Sequence, residues 1–283
     1  MVTTRAQERA EATSGQKPTK AEQPIPAKKH TAEKKNIQKA AGKVEKRKLP
    51  KRGEEEHKKG AEKPVSNAVR NDIDKLIAKR GSLPLDDLNL RSRPKPGTEM
   101  ILALLMEAML KAAPISHQKA EATLGLLLEH GFQDVNNLKN SSWDERAKVL
   151  IQGGYRHYYK RAASNLAELA DWVIDKYEGD LENFHAETGG SNSRIRSTLK
   201  EIKGFGDVAV DIFLASVQSA WPETAPFIAE RSLQTAEHIG IGTDVEAIFK
   251  TLHSDSKDMC KLARALTEIR LEKEEQEFQV HEE

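Results

Sequence analysis

The 283-residue sequence predicts an all-α protein behind a disordered basic tail, and three observations carry that expectation. From about Ser66 onward, apolar residues recur at helical spacing. No run alternates polar and apolar with period two, as a half-buried strand would. The first 64 residues hold 18 Lys and Arg against 9 Asp and Glu, a net of +9, with no aromatic residue. Such a segment buries too little apolar surface to offset its chain entropy.

The elements follow in order. Residues 65–98 read as a lead-in helix and a proline-containing loop. Val69, Ile73, Leu76 and Ile77 fall at i, i+4, i+7 and i+8, with Gly81 as the stop, and Ser82–Gly97 wraps the core. Residues 99–275 read as the main helical domain. Met100–Leu110 is apolar all round, the pattern of a central buried helix. A helix spans His117–His130, and Ser142-Trp143-Asp144-Glu145 is a capping box that opens another. A long helix from about Arg156 to Tyr177 places Leu166, Leu169, Ala170, Val173 and Ile174 on one stripe, with Gly179 as its stop. A short helix near Leu181–Glu187 precedes a Gly189-Gly190 turn. Helices over Asp244–Leu252 and Lys257–Glu274 finish the domain, and residues 276–283 form an acidic frayed tail.

Charge is unevenly divided. The segment after residue 64 keeps 27 of the 45 basic and 35 of the 44 acidic residues, a net of −8. The near-neutral total thus joins a basic arm to an acidic body. Lys34 and Lys35, ten residues, then Lys46, Arg47, Lys48, Lys51 and Arg52 form a bipartite pattern of the kind nuclear import receptors read, so a nuclear location is expected. No apolar run approaches membrane-spanning length, no hydrophobic signal core opens the chain, and Glu8 and Glu11 argue against a mitochondrial presequence. The single Cys260 excludes a disulfide framework and reads as core filler beside Met259, Leu262 and Leu266. The histidines show no metal-ligand spacing.

Leu199–Gly242 is the most informative stretch. A helix ends at Ile202, Lys203-Gly204-Phe205-Gly206 turn the chain, and a second helix opens with Asp207 as its cap. Pro226-Phe227 then open a helix that runs to Gly240. Two glycines one residue apart allow positive φ and leave main-chain N–H groups facing outward, a phosphate-binding surface. Arg194, Arg196, Lys200 and Lys203 cluster around it, while Asp207 would repel a phosphate.

This stretch resembles the helix-hairpin-helix region of the endonuclease III-like (HhH-GPD) DNA glycosylases. The hairpin reads Ile202-Lys203-Gly204-Phe205-Gly206-Asp207-Val208-Ala209-Val210 where the family reads Leu-Pro-Gly-Val-Gly-x-Lys-Thr-Ala, with Gly204 and Gly206 the shared residues. Counting back from Gly240, a second motif falls on Ile228-Ala229-Glu230-Arg231. The likeness covers roughly Glu99 to Ile241. It implies a helix-hairpin-helix glycosylase-like fold, double-stranded DNA as partner, and one phosphate on Gly204, Phe205 and Gly206, with a monovalent cation on the hairpin carbonyls. It also places Val208 at the family's Schiff-base lysine and Ala229 at its carboxylate. Without those groups there is no amine nucleophile and no charge to stabilise an oxocarbenium ion. One cysteine excludes the family's four-cysteine iron–sulfur cluster, so no cofactor is expected. Where relatives carry a base-gap-filling Leu-Ser-Ala-Gln, this chain reads Leu105-Met106-Glu107-Ala108.

Gln152–Arg161 interleaves Tyr155, Tyr158 and Tyr159 with Arg156, Lys160 and Arg161. The tyrosines either stack on bases beside phosphate-binding cations or pack into the core. Three functions follow from this resemblance and the charge division. The first is a DNA-binding, repair-related protein weak or inactive as a glycosylase. The second is a monofunctional glycosylase using Glu230 as a displaced acid, with Asp207 and Asp211 the nearest other carboxylates. The third is a nuclear scaffold whose acidic body binds a basic partner.

Overall fold

The computed structural model describes residues 67–88 and 90–279; the basic tail, its import-type cluster and residues 280–283 lie outside them. Among the described residues there are twelve α-helices, two 3-10 turns and no strand. The helices are α1 (Asn67–Arg80), α2 (Thr98–Lys111), α3 (His117–Glu129), α4 (Val135–Asn140), α5 (Trp143–Gln152) and α6 (Tyr159–Tyr177). They continue with α7 (Leu181–Thr188), α8 (Asn192–Leu199), α9 (Asp207–Val217), α10 (Glu230–His238), α11 (Val245–Thr251) and α12 (Ser256–Glu272).

Two apolar cores form. The first gathers α2 to α9 around α2, in which every residue from Ile101 to Leu110 is buried. The second joins α1 to α10, α11 and α12 through Ile73, Leu76, Ile239, Ile248, Met259, Leu262 and Leu266. The lead-in helix therefore packs with the C-terminal helices, and α9 packs against both α2 and α12. The loop between α1 and α2 buries Leu85 in the first core. Cys260 is fully buried with its thiol toward the Ser216 carbonyl, and burial pushes that thiol up to about 11.

Most boundaries follow local chemistry. Ser142 accepts from the Glu145 N–H and Glu145 accepts from the Ser142 N–H, which completes the capping box of α5. Asp134, Asp180, Asp244 and Asp255 cap α4, α7, α11 and α12 by accepting from N–H groups of the first turn. The structure corrects several expectations. The long helix starts at Tyr159, because Gly153 to Tyr158 make a turn that tucks Tyr155 under α2. The helix expected from Pro226 starts four residues later at Glu230, since Pro226 to Ala229 run without helical structure and Phe227 is pinned by Gln218. The short helix α4 had no periodic signal long enough to mark it.

One charged group is built into the first core. Glu107, 2% exposed, accepts from Lys111 Nζ at 2.7 Å and from Arg264 Nη1 at 3.0 Å, tying α2 to α12. Burial alone would raise its pKa, but Lys111 and Arg264 hold it at about 2. The segment Leu105 to Ala108 is thus a buried helix interior, with no side chain free to fill a gap in a base stack.

Candidate nucleic-acid interface

The turn between α8 and α9 is closed by the Phe205 N–H donating to the Ile202 carbonyl at 3.0 Å, after α8 ends at Leu199. Gly204 adopts φ +99°, and an added Cβ would lie 2.4 Å from Asn165 Nδ2 of α6. Only glycine fits there. Gly206 differs from the expectation of two left-handed glycines. Its φ is −89°, and a Cβ at this position would have nothing within 4 Å of it. Asp207 is the first helical residue; Gly206 is the cap position, and no side chain caps α9. The N–H groups of that first turn have no intrahelical acceptor. The Phe205 side chain is buried, so only its main chain is available to a ligand.

Three of the four cations around the hairpin are already matched. Lys200 Nζ lies 2.5 Å from Asp207 Oδ1, and Arg196 Nη2 lies 2.5 Å from Asp211 Oδ1. Lys203 Nζ pairs with Glu168 Oε1 at 2.7 Å, fastening the hairpin to α6. Lys200 followed by Arg196 holds the Asp207 carboxyl below its usual range. The Asp207 carboxylate is thus turned back toward α8. Arg194 is exposed and has no carboxylate partner among the described residues.

The opposite holds at the start of α6. Arg156, Lys160 and Arg161 are exposed and none has an ion-pair partner among the described residues. Tyr155 is not part of that surface: it is 2% exposed and donates its hydroxyl to the Leu110 carbonyl at 2.9 Å. Burial pushes its phenol well above the ordinary tyrosine range. Tyr158 and Tyr159 are half-buried against the first core. Along α6, Arg161, Asn165 and Glu168 follow at i, i+4 and i+7, so Arg161 and the hairpin contacts share one flank of this helix.

At the position of the expected chemistry, Val208 is 50% exposed in the first turn of α9. Ala229 caps α10 without a side-chain bond, and Glu230 is exposed with Gln234 Nε2 its donor at 3.4 Å. Asp211 is committed to Arg196. Two residues of the interface gave no sequence signal: Asn165 and Glu168 meet the hairpin from more than thirty residues away, in a helix that reads only as amphipathic. No family profile, curated protein or solved structure matches the chain.

Proposed function

We propose that this is a nuclear DNA-binding protein of the helix-hairpin-helix glycosylase class, weak or inactive as a glycosylase. Gly206 carries the reading. The fold needs no glycine there, since φ is ordinary and a Cβ would meet open space. A phosphate approaching the uncapped N-terminus of α9 does need that space. Arg156, Lys160 and Arg161 add phosphate contacts, and these ignore sequence, so they position a duplex without selecting a site. The basic arm, net +9 over residues 1–64, supplies most of the electrostatic affinity. The monovalent cation of relatives belongs to the same proposal. Asn165 Oδ1, buried without a donor, and the hairpin carbonyls are the oxygens that would hold it, placing positive charge beside the phosphate.

The test separates a ligand role from a structural one. Gly206→Ala is expected to leave the melting temperature of the full chain unchanged while weakening duplex binding several-fold in fluorescence anisotropy. Equal affinity in the two proteins would remove the hairpin from the interface. The scaffold reading draws on a different observation, the pairing of Arg196, Lys200 and Lys203 with carboxylates, and absence of duplex binding by the full chain would favour it.

A further inference from the structure

The outward strip of α6 runs Lys160, Arg161, Ser164 and Glu168, about 12 Å from first to last at the helical rise. The hairpin lies along one side of this strip, through Lys203 on Glu168 and Gly204 on Asn165. Trp143 lies along the other. Its indole Nε1 donates to Ser164 Oγ at 3.3 Å, and its ring centroid is 6.1 Å from that of Tyr159, tilted by 54°. Even so, Trp143 is 39% exposed, one of four large apolar side chains this open among the described residues, with Ile151 of the same helix another.

We propose that Trp143 is a stacking platform for an unpaired base, so that the preferred ligand is DNA with a single-stranded segment beside the duplex held at the hairpin. The inference rests on the nucleic-acid reading above and adds the class of DNA. The hydrogen bond to Ser164 satisfies the indole nitrogen and fixes the ring while leaving part of its face open, which is what a stacked base requires. Charge selects a polyanion as the occupant: Lys160 and Arg161, on the α6 strip that Trp143 borders, are exposed and have no carboxylate partners among the described residues. The two neighbouring acids, Asp144 and Glu145, are both exposed, and the oxygens of Glu145 are engaged by the capping box. Stacking accepts any base, so the preference is for strand state over sequence.

The experiment compares the full-length protein on a blunt duplex, on the same duplex with a dT overhang, and on a dT oligomer. Binding of the overhang and the oligomer is expected to quench tryptophan emission, because Trp221 is buried and Trp172 half-buried, leaving Trp143 as the accessible ring. Trp143→Ala is expected to weaken binding of the oligomer about tenfold and of the blunt duplex less than twofold, with Trp143→Phe retaining most of the affinity. If the alanine variant melts early, the wild-type quench and the phenylalanine variant decide. Binding of all three DNAs without quenching, or equal loss on blunt and single-stranded DNA, overturns the stacking role alone. Displacement of dT by polyglutamate as readily as by unlabelled dT overturns it in favour of an acidic peptide. Failure to bind any DNA overturns the nucleic-acid reading itself.

Discussion

The carboxamide of Asn165 lies over the Cα of Gly204 so closely that a methyl group there would stand 2.4 Å from Nδ2 and 3.1 Å from Cγ. Helix α6 and the hairpin are therefore fitted at the backbone, and two separate effects exclude a side chain at residue 204. One is the clash; the other is the φ of +99°. Gly204→Ala is expected to destabilise the protein by about 2 kcal/mol, enough to lower the melting temperature by several degrees. Adding Asn165→Ala leaves only Cβ, at 3.7 Å, so the double variant should recover the part due to the clash and keep the part due to φ. Strict additivity of the two single changes in thermal melts would show that the residues do not touch.

Asp207 gives a prediction of opposite sign. Its carboxylate neutralises Lys200 and Arg196 at the mouth of the hairpin. Asp207→Asn removes one negative charge and frees Lys200 toward an approaching phosphate, while Arg196 stays paired with Asp211; duplex affinity should rise and the salt dependence of log K should steepen by about one phosphate equivalent. Titrations at about 50 and 200 mM salt, the range over which such slopes are read, measure both. Unchanged affinity and slope would place the DNA away from the α9 N-terminus.

The helices were legible because caps, glycine stops and 3.6-residue periodicity are local: Ser142 with Glu145, Gly81 after Ile77, and the apolar run of α2 all lie within one turn of the boundary they define. The electrostatics of the hairpin were not. Arg196, Lys200 and Lys203 read as free cations, yet their partners Asp211, Asp207 and Glu168 stand 15, 7 and 35 residues away, at separations fixed only by the packing of α8, α9 and α6. Tyr155 illustrates the same limit. Its neighbours are basic and exposed, and only the turn at Gly153 to Tyr158 sends it inward to Leu110.

Acid should act through Glu107. Its folded pKa of about 2 lies below the unfolded value near 4.5, so its contribution is fully present above about pH 4.5 and is lost as pH falls through 2. Replacing it by Gln leaves Lys111 and Arg264 beside an uncharged amide, at a cost of about 3 kcal/mol near neutrality. Urea midpoints of wild type and Glu107→Gln, measured from neutral pH down to about pH 2, should converge at the acid end. A constant gap would assign the cost to packing.

Chemistry at abasic sites provides the last prediction. A lyase attacks the sugar with an amine, and the resemblance puts Val208 where that amine would be. Valine has no nucleophile, and in this fold it faces solvent at the head of α9. The nearest lysines are occupied: Lys203 is paired with Glu168 and Lys200 with Asp207. A charged ammonium in an ion pair has no lone pair to give at neutral pH. Borohydride treatment with abasic duplex is therefore expected to trap no protein–DNA adduct, and strand cutting should match a protein-free control. An adduct that disappears in Lys203→Ala would show that the Glu168 pair opens on DNA and that the hairpin lysine attacks from the other side of the turn. Base excision is a separate measurement on a panel of damaged duplexes, because it asks only for a carboxylate and water. Glu230, exposed at the head of α10, is the residue to vary. Release of a base that is abolished by Glu230→Gln would replace the inactive binder with a displaced-acid glycosylase.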